Sequence, residues 1–265
     1  MLRRREIIHY FVLKHKGNWE RIYSALENQE AFDEKEYKKL ITNQPPFVSL
    51  LDENYPESLK RIYRPPFGLF YYGNFDLIKS QYLLTSIGTR TPTKYQEQYT
   101  YKLIKEVEEH FLSKVVLVSG MAKGLDYMSM LAALNTNSPI IAVLGSGLDI
   151  IYPKESSEIY NYCKNKNGLI LSEYPLSYTP EKEDFIKRNR IVAGLSKVIY
   201  VGGGKNLSGS ATTIRFALEQ GKEILALPCN NTGDDLTNTL IYDGADIVLN
   251  SKDIIQKLEN IYKLS

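Results

Sequence analysis

The sequence predicts an α/β protein: a doubly wound, mainly parallel sheet flanked by helices, preceded by a small N-terminal helical unit. Three observations predict it. From Gln81 onward, short apolar runs alternate with longer amphipathic ones, the pattern of βα units. The short runs are apolar throughout rather than at every second residue, as befits strands covered on both faces. Glycine- and hydroxyl-rich turns follow several of these runs, where an open parallel sheet places its ligand crevice.

Taken in order, residues up to about Ile41 read as short helices. Ile7, Ile8, Phe11 and Val12 share one helical face, and Trp19, Ile22, Tyr23 and Leu26 another, with Gly17-Asn18 turning between them. A unit this small cannot bury a core alone and is expected to pack on the main domain. Pro45-Pro46 opens a connector punctuated by Tyr55-Pro56, Pro65-Pro66 and Gly73, with a domain boundary near Asp76. The expected organisation is a helical unit over 1–45, a connector over 46–75 and the main domain over 76–265. Its strands are expected at Tyr82–Ile87, Val115–Val118, Ile140–Leu144, Leu169–Leu171, Val198–Val201 and Ile224–Leu227. Thr93 and Gln96 have capping-box spacing for the helix after the first strand, whose stripe is Leu103, Ile104, Val107 and Phe111. The last helix, about Lys252 to Tyr262, carries Ile254, Ile255, Leu258, Ile261 and Tyr262 on one face, which packs on the domain or on a second copy of it.

Composition bounds the function. With 43% hydrophobic and 24% charged residues in 265, the chain can bury a full core. A net charge of +2 means that any basic site is local rather than global. Cys163 and Cys229 lack metal-binding spacing and read as reduced thiols. No apolar run reaches membrane-spanning length and no secretory segment opens the chain, so a cytoplasmic location is expected.

The strand ends carry the chemistry. They are Ile87-Gly88-Thr89-Arg90, Ser119-Gly120-Met121-Ala122-Lys123-Gly124, Leu144-Gly145-Ser146-Gly147 and Gly202-Gly203-Gly204, with Ser208-Gly209-Ser210 opening a later helix. Small residues let a ligand reach the backbone, and helix N-termini offer amides and a dipole to an anion. Arg90, Lys123, Lys205, Arg188 and Arg190 are the candidate cations. The densest stretch is Lys187-Arg188-Asn189-Arg190, three cations in four residues ahead of an apolar segment. Guanidinium forks at the mouth of a sheet suit phosphate oxygens; the competing reading pairs them with Glu181, Glu183 and Asp184. Nucleotide fingerprints fail, since Ile150 and Leu207 stand where a third glycine is needed, and Asn206 and Glu223 where a P-loop needs Ser or Thr. The histidines, His9, His15 and His110, all precede the later strands, so a Ser-His-Asp or Cys-His site is not expected. Asp126, Asp149 and Glu173 are read as structural, and no metal or cofactor is expected.

These motifs, together with Tyr152-Pro153, Ser172-Glu173-Tyr174-Pro175, Phe185 and Leu240-Ile241-Tyr242-Asp243-Gly244-Ala245, resemble in order those of the DprA/Smf DNA-processing proteins over roughly residues 50 to 250. The resemblance implies an extended Rossmann-like domain and a non-enzymatic, homodimeric binder of single-stranded DNA. It also implies that the protein protects incoming DNA and loads RecA recombinase during transformation and recombination. It implies a DNA site formed by Gly88, Thr89, Arg90, Ser119, Gly120, Arg188, Asn189, Arg190, Ser208, Gly209 and Ser210. Lys182 and Phe185 fall where the family has a basic residue and a base-contacting aromatic, and Lys123 joins from its strand end. The N-terminal helices stand where the family often carries a sterile-alpha-motif-like unit, here abbreviated, and no C-terminal winged helix is expected. The sequence departs from the family pattern at Gln96, Ser129-Met130, Gly202-Gly203-Gly204 and Cys229. Two other readings remain: a nucleoside-monophosphate phosphoribohydrolase of the lysine-decarboxylase-like fold, or a carrier of a phosphorylated small ligand. The first needs a glutamate where Arg215 or Phe216 stands.

Overall fold

The computed structural model describes residues 2–80, 82–165, 167–230 and 236–263. Three helices open the chain: α1 (Leu2–Lys14), α2 (Trp19–Glu27) and α3 (Glu34–Leu40). Asn18 and Asp33 cap the second and third by accepting backbone amides of the first turn. Gly17 sits at φ +73°, and a Cβ there would lie 2.6 Å from the Glu173 carbonyl oxygen, so only glycine lets this turn approach the sheet so closely. The strands are β1 (Phe47–Ser49), β2 (Gly68–Gly73), β3 (Leu83–Ile87), β4 (Val116–Ser119), β5 (Ile140–Leu144), β6 (Gly168–Ser172), β7 (Val198–Val201), β8 (Glu223–Ala226) and β9 (Asp246–Ile247). Between and after them run α4 (Glu57–Lys60), α5 (Lys94–His110), α6 (Leu125–Asn135), α7 (Ser157–Asn165), α8 (Lys182–Leu195), α9 (Gly209–Glu219), α10 (Leu236–Tyr242) and α11 (Ser251–Tyr262).

The nine strands among the described residues form one sheet in the order β1-β2-β6-β5-β4-β3-β7-β8-β9. β3 through β9 run parallel, while β1 and β2 add an antiparallel edge, with β2 paired to β6 from Phe70↔Ser172 to Gly73↔Leu169. The period of two along each strand divides the core into two layers. On β5, Ile140, Ala142 and Leu144 face a layer filled by α1, α5, α6, α7 and α11; Ile141 and Val143 face the layer under α4, α8, α9 and α10. That double cover is why the strands read as continuous apolar runs.

The six expected strands are all present, and Thr93 and Gln96 form the capping box of α5. Two expectations change. The connector over 46–75 contributes β1 and β2 to the sheet, so the position near Asp76 lies within a continuous fold; Phe47 and Phe70 share a core with Tyr10 and Phe11 of α1. The stripe of α11 is covered by its own domain: Ile254, Leu258 and Tyr262 are buried against α5 and β7, and the Tyr262 hydroxyl donates to Leu83 O at 2.7 Å. That face is therefore not available to a second copy.

Candidate functional site

Strand order locates the crevice. From β3 the chain winds outward through β4, β5 and β6, then returns through α8 to place β7 on the other side of β3. The loops after β3 and β7 consequently part at this switch point, where open α/β sheets receive ligands. A crevice of 340 Å³ lies there, lined by the β3 loop, one face of α8 and the start of α9.

Its floor is Arg188. The side chain is buried, and its Nη1 donates to Gly120 O at 2.7 Å and to Val143 O. A Cβ on Gly120 would stand 2.6 Å from Nη2, so glycine is what lets the guanidinium lie flat against the β4 loop. Burial pulls Arg188 down to about 10, with Arg90 adding to the fall and Asp126 opposing it; the group keeps its proton at neutral pH. Asp126 also accepts from Gly88 N–H at 3.3 Å, which holds the β3 turn over α6. Above the floor, the exposed Arg90 guanidinium lies 6.0 Å from the centre of the Phe185 ring, and the Tyr152 ring stands 5.7 Å from that ring, tilted by 46°. Exposed Lys182 and Lys205 complete the cationic lining.

The far wall is the first turn of α9. Ser208 caps it by accepting from Ala211 N–H at 3.3 Å, and the opening amides from Gly209 onward have no intrahelical acceptor. The Ser210 hydroxyl donates to Gly88 O at 2.8 Å, and Asn189 Nδ2 donates to Gly209 O at 3.2 Å. These bonds tie the β3 turn, α8 and α9 into one rim.

The structure brings together Gly88, Thr89, Arg90, Gly120, Lys182, Phe185, Arg188, Asn189, Ser208, Gly209 and Ser210. It turns three of the sequence-predicted residues elsewhere. Arg190 is buried on the opposite side of α8, where Nη1 and Nη2 donate to the two oxygens of Glu173 at 2.7 Å each and Nε donates to Arg64 O at 2.9 Å. Residues two apart on a helix do not share a face, so Arg188 and Arg190 cannot both reach the crevice. Ser119 is fully buried and donates to Ser86 O at 2.7 Å, joining β4 to β3. Lys123 reaches outward to Glu155 at 3.2 Å. Tyr152 joins the site without having been singled out by the sequence; its one signal there is its place in the Tyr-Pro motif after β5.

The acidic residues nearby are all engaged. Glu173 holds Arg190, Asp126 faces Arg188, and Asp149 accepts the Ser177 amide at 2.7 Å. Among the described residues no group of three or more His, Cys, Asp and Glu side chains is arranged to hold a metal ion.

Fold and site together define a Rossmann-like α/β protein with a cationic crevice, floored by Arg188 and edged by glycine turns, at the switch point of its sheet. The chain belongs to the DprA/Smf family of DNA-processing proteins: the family described as DNA recombination-mediator protein A matches residues 46–259. It is 37% identical over 227 residues to the DNA processing protein DprA of Streptococcus pneumoniae, covering 85% of this chain and 77% of that protein. The X-ray structure of DNA processing protein A from the same organism superposes with a TM-score of 0.78 at 35% identity, over 89% of this chain and 80% of that one. DNA processing protein A from Helicobacter pylori, solved for its single-stranded DNA binding mode, superposes with a TM-score of 0.73 at 32% identity, over 82% of this chain and 98% of that one.

Proposed function

We propose that this chain binds single-stranded DNA in the switch-point crevice, without catalysing a reaction on it, and delivers it to RecA recombinase in the cytoplasm during transformation or recombination. The observation that carries the DNA reading is the pairing of Arg90 with the Phe185 ring above the buried Arg188. Cations meet the phosphates, while an aromatic face accepts a base whatever its sequence, the combination that single-strand binders use. The free amides of α9 add a neutral phosphate contact. Family membership and the Helicobacter pylori relative support the same ligand. Delivery to RecA rests on the family resemblance alone. A homodimer is part of the reading, with a surface of its own: Tyr242, Ile247 and Leu249 are exposed beside β9, the last strand of the sheet. No helix among the described residues is long and apolar enough to cross a membrane.

The test is fluorescence anisotropy with labelled single-stranded and duplex DNA of equal length at several salt concentrations. Preference for the single strand, with affinity falling linearly in log salt, is the expected result. Equal affinity for both forms, or none for either, overturns the proposal.

A further inference from the structure

α8 separates two cavities. Phe185, Arg188, Asn189 and Val192 recur at i, i+3, i+4 and i+7 and face the crevice, whereas Lys187 and Arg190, three apart, face away from it. On that other side lies a cavity of 380 Å³, bounded by α8, the chain around Arg64 and the beginning of α2. Its volume falls in the range of about 300–1,000 Å³ typical of small-molecule sites. Ile186 lines both cavities and is 40% exposed, an apolar ridge between them.

The walls of this second cavity are aromatic and fixed. Tyr174 and Tyr178 stack at 4.4 Å with 6° between their planes, and their hydroxyls donate to Asp184 at 3.2 and 2.8 Å. The Trp19 indole N–H donates to Pro65 O at 2.9 Å. The Arg64 guanidinium lies 5.4 Å from the Trp19 ring and 5.2 Å from the ring of Tyr63, which is 62% exposed. Of the four carboxylates in the lining, Glu173 is paired with Arg190 and Glu20 with Arg64; Asp184 accepts from the two tyrosine hydroxyls and lies 3.5 Å from Lys187, and Glu181 has no cation within ion-pair distance among the described residues. Lys16 and Arg21 add positive charge to the lining, and among the described residues neither has a carboxylate within ion-pair distance. The cavity thus repeats the chemistry of the crevice, rings for a base and cations for phosphate.

Building on the single-strand reading above, we propose that this cavity is a second nucleotide subsite on the same DNA strand. The strand leaves the crevice over Ile186, Lys187 receives a phosphate, and a base enters against Tyr63 and Trp19. Two neighbouring sites on one strand act together: once the crevice is filled, the second site sees its base at high effective concentration.

Trp19 is the only tryptophan in the chain, so its emission reports on this cavity and not on the crevice. The experiment titrates the full chain with oligothymidylates lengthened one nucleotide at a time. Anisotropy of a label on the DNA follows binding, and tryptophan emission follows the cavity. The expected result is a threshold length at which emission is quenched and affinity rises roughly ten-fold, the scale of one stacked base. Tyr63→Ala and Lys187→Ala remove that rise and leave affinity for the shorter oligomers within about two-fold of the parent, since neither residue lines the crevice. Binding at every length with unchanged Trp19 emission, or with no rise that Tyr63→Ala removes, overturns the subsite and leaves the crevice reading standing. Failure of every oligomer to bind overturns both.

Discussion

Arg190 and Glu173 face each other through two parallel hydrogen bonds of 2.7 Å, both side chains buried, one on α8 and the other just past β6. The pair fastens α8 to the sheet from the side away from the crevice, and the same guanidinium reaches Arg64 O. Arg190→Ala leaves a buried carboxylate without its cation and is expected to cost about 3–5 kcal/mol of stability. Replacing both partners with apolar residues, Arg190→Met with Glu173→Leu, is expected to cost much less, because no uncompensated charge remains. Urea denaturation measures both. A stable Arg190→Ala protein without DNA affinity would return Arg190 to the binding site.

Glu108 gives the fold a pH dependence. Its carboxyl is fully buried in α5, neither oxygen has a well-formed hydrogen bond, and desolvation, opposed by the neighbouring Ser138 hydroxyl, pushes it up to about 8. A folded-state value above the unfolded one means that folding takes up a proton. The stabilisation is therefore complete below pH about 4.5 and is lost as pH rises through about 8. At roughly 1.4 kcal/mol per unit, the loss amounts to a few kcal/mol. Glu108→Gln is expected to be more stable than the parent above pH 8 and to show a flatter profile between pH about 5 and 9. Parallel stability curves for the two proteins would refute this.

Much of the fold is legible in the sequence because its physics is local. Strands covered on both faces must be apolar along their whole length, so β3 to β8 stand out. β1 and β2 do not, because they are short, interrupted by prolines and paired antiparallel at the sheet's edge, and their partner β6 lies about a hundred residues away in sequence. In the site, the glycine turns, Phe185 and Arg188 are legible from residue type and position. Arg190 misleads because three cations within four residues of sequence are distributed around a helix, and its partner Glu173 is farther from it in sequence than Glu181, Glu183 and Asp184. Three of the four departures from the family pattern prove to be spatially related: Gln96 Nε2 lies 3.9 Å from Cys229 Sγ, and a Cβ on Gly203 would meet that same Nε2 at 2.4 Å. Three departures scattered along the chain share one place beside α5, which sequence order could not reveal.

The sheet edge bears on assembly. With α11 covered by its own domain, the exposed Tyr242, Ile247 and Leu249 beside β9 are the apolar surface to test for the proposed homodimer. Ile247→Asp is expected to shift the protein toward monomer in sedimentation at micromolar concentrations, where an interface of micromolar affinity is half-populated. It should not change stability by more than about 0.5 kcal/mol, the usual limit for a surface site. An unchanged dimer would move the interface elsewhere, and a monomeric parent would remove it.

Arg90 and Phe185 divide the work of binding in a way that salt separates. Arg90 is exposed and its guanidinium faces the Phe185 ring at 6.0 Å, so it can neutralise a phosphate without disturbing the packing around it. Arg90→Ala is expected to weaken all single-stranded sequences alike, because phosphates carry no sequence information. The slope of log affinity against log salt should shrink by roughly 0.7 for the single phosphate no longer neutralised. Phe185→Ala is expected to cost about 1–3 kcal/mol, the range of one stacked base, with the slope unchanged. Because the two side chains are neighbours, the double variant should fall short of the sum of the single losses by about 0.5 kcal/mol or more. Arg188 extends the series: Arg188→Lys keeps the charge but not the planar guanidinium whose Nη1 donates to both Gly120 O and Val143 O, so it should lose affinity at constant slope. A set of titrations in which Phe185→Ala lowers the slope while Arg90→Ala leaves it intact would reverse the roles assigned to these two residues, and would require the base to lie where the phosphate has been drawn.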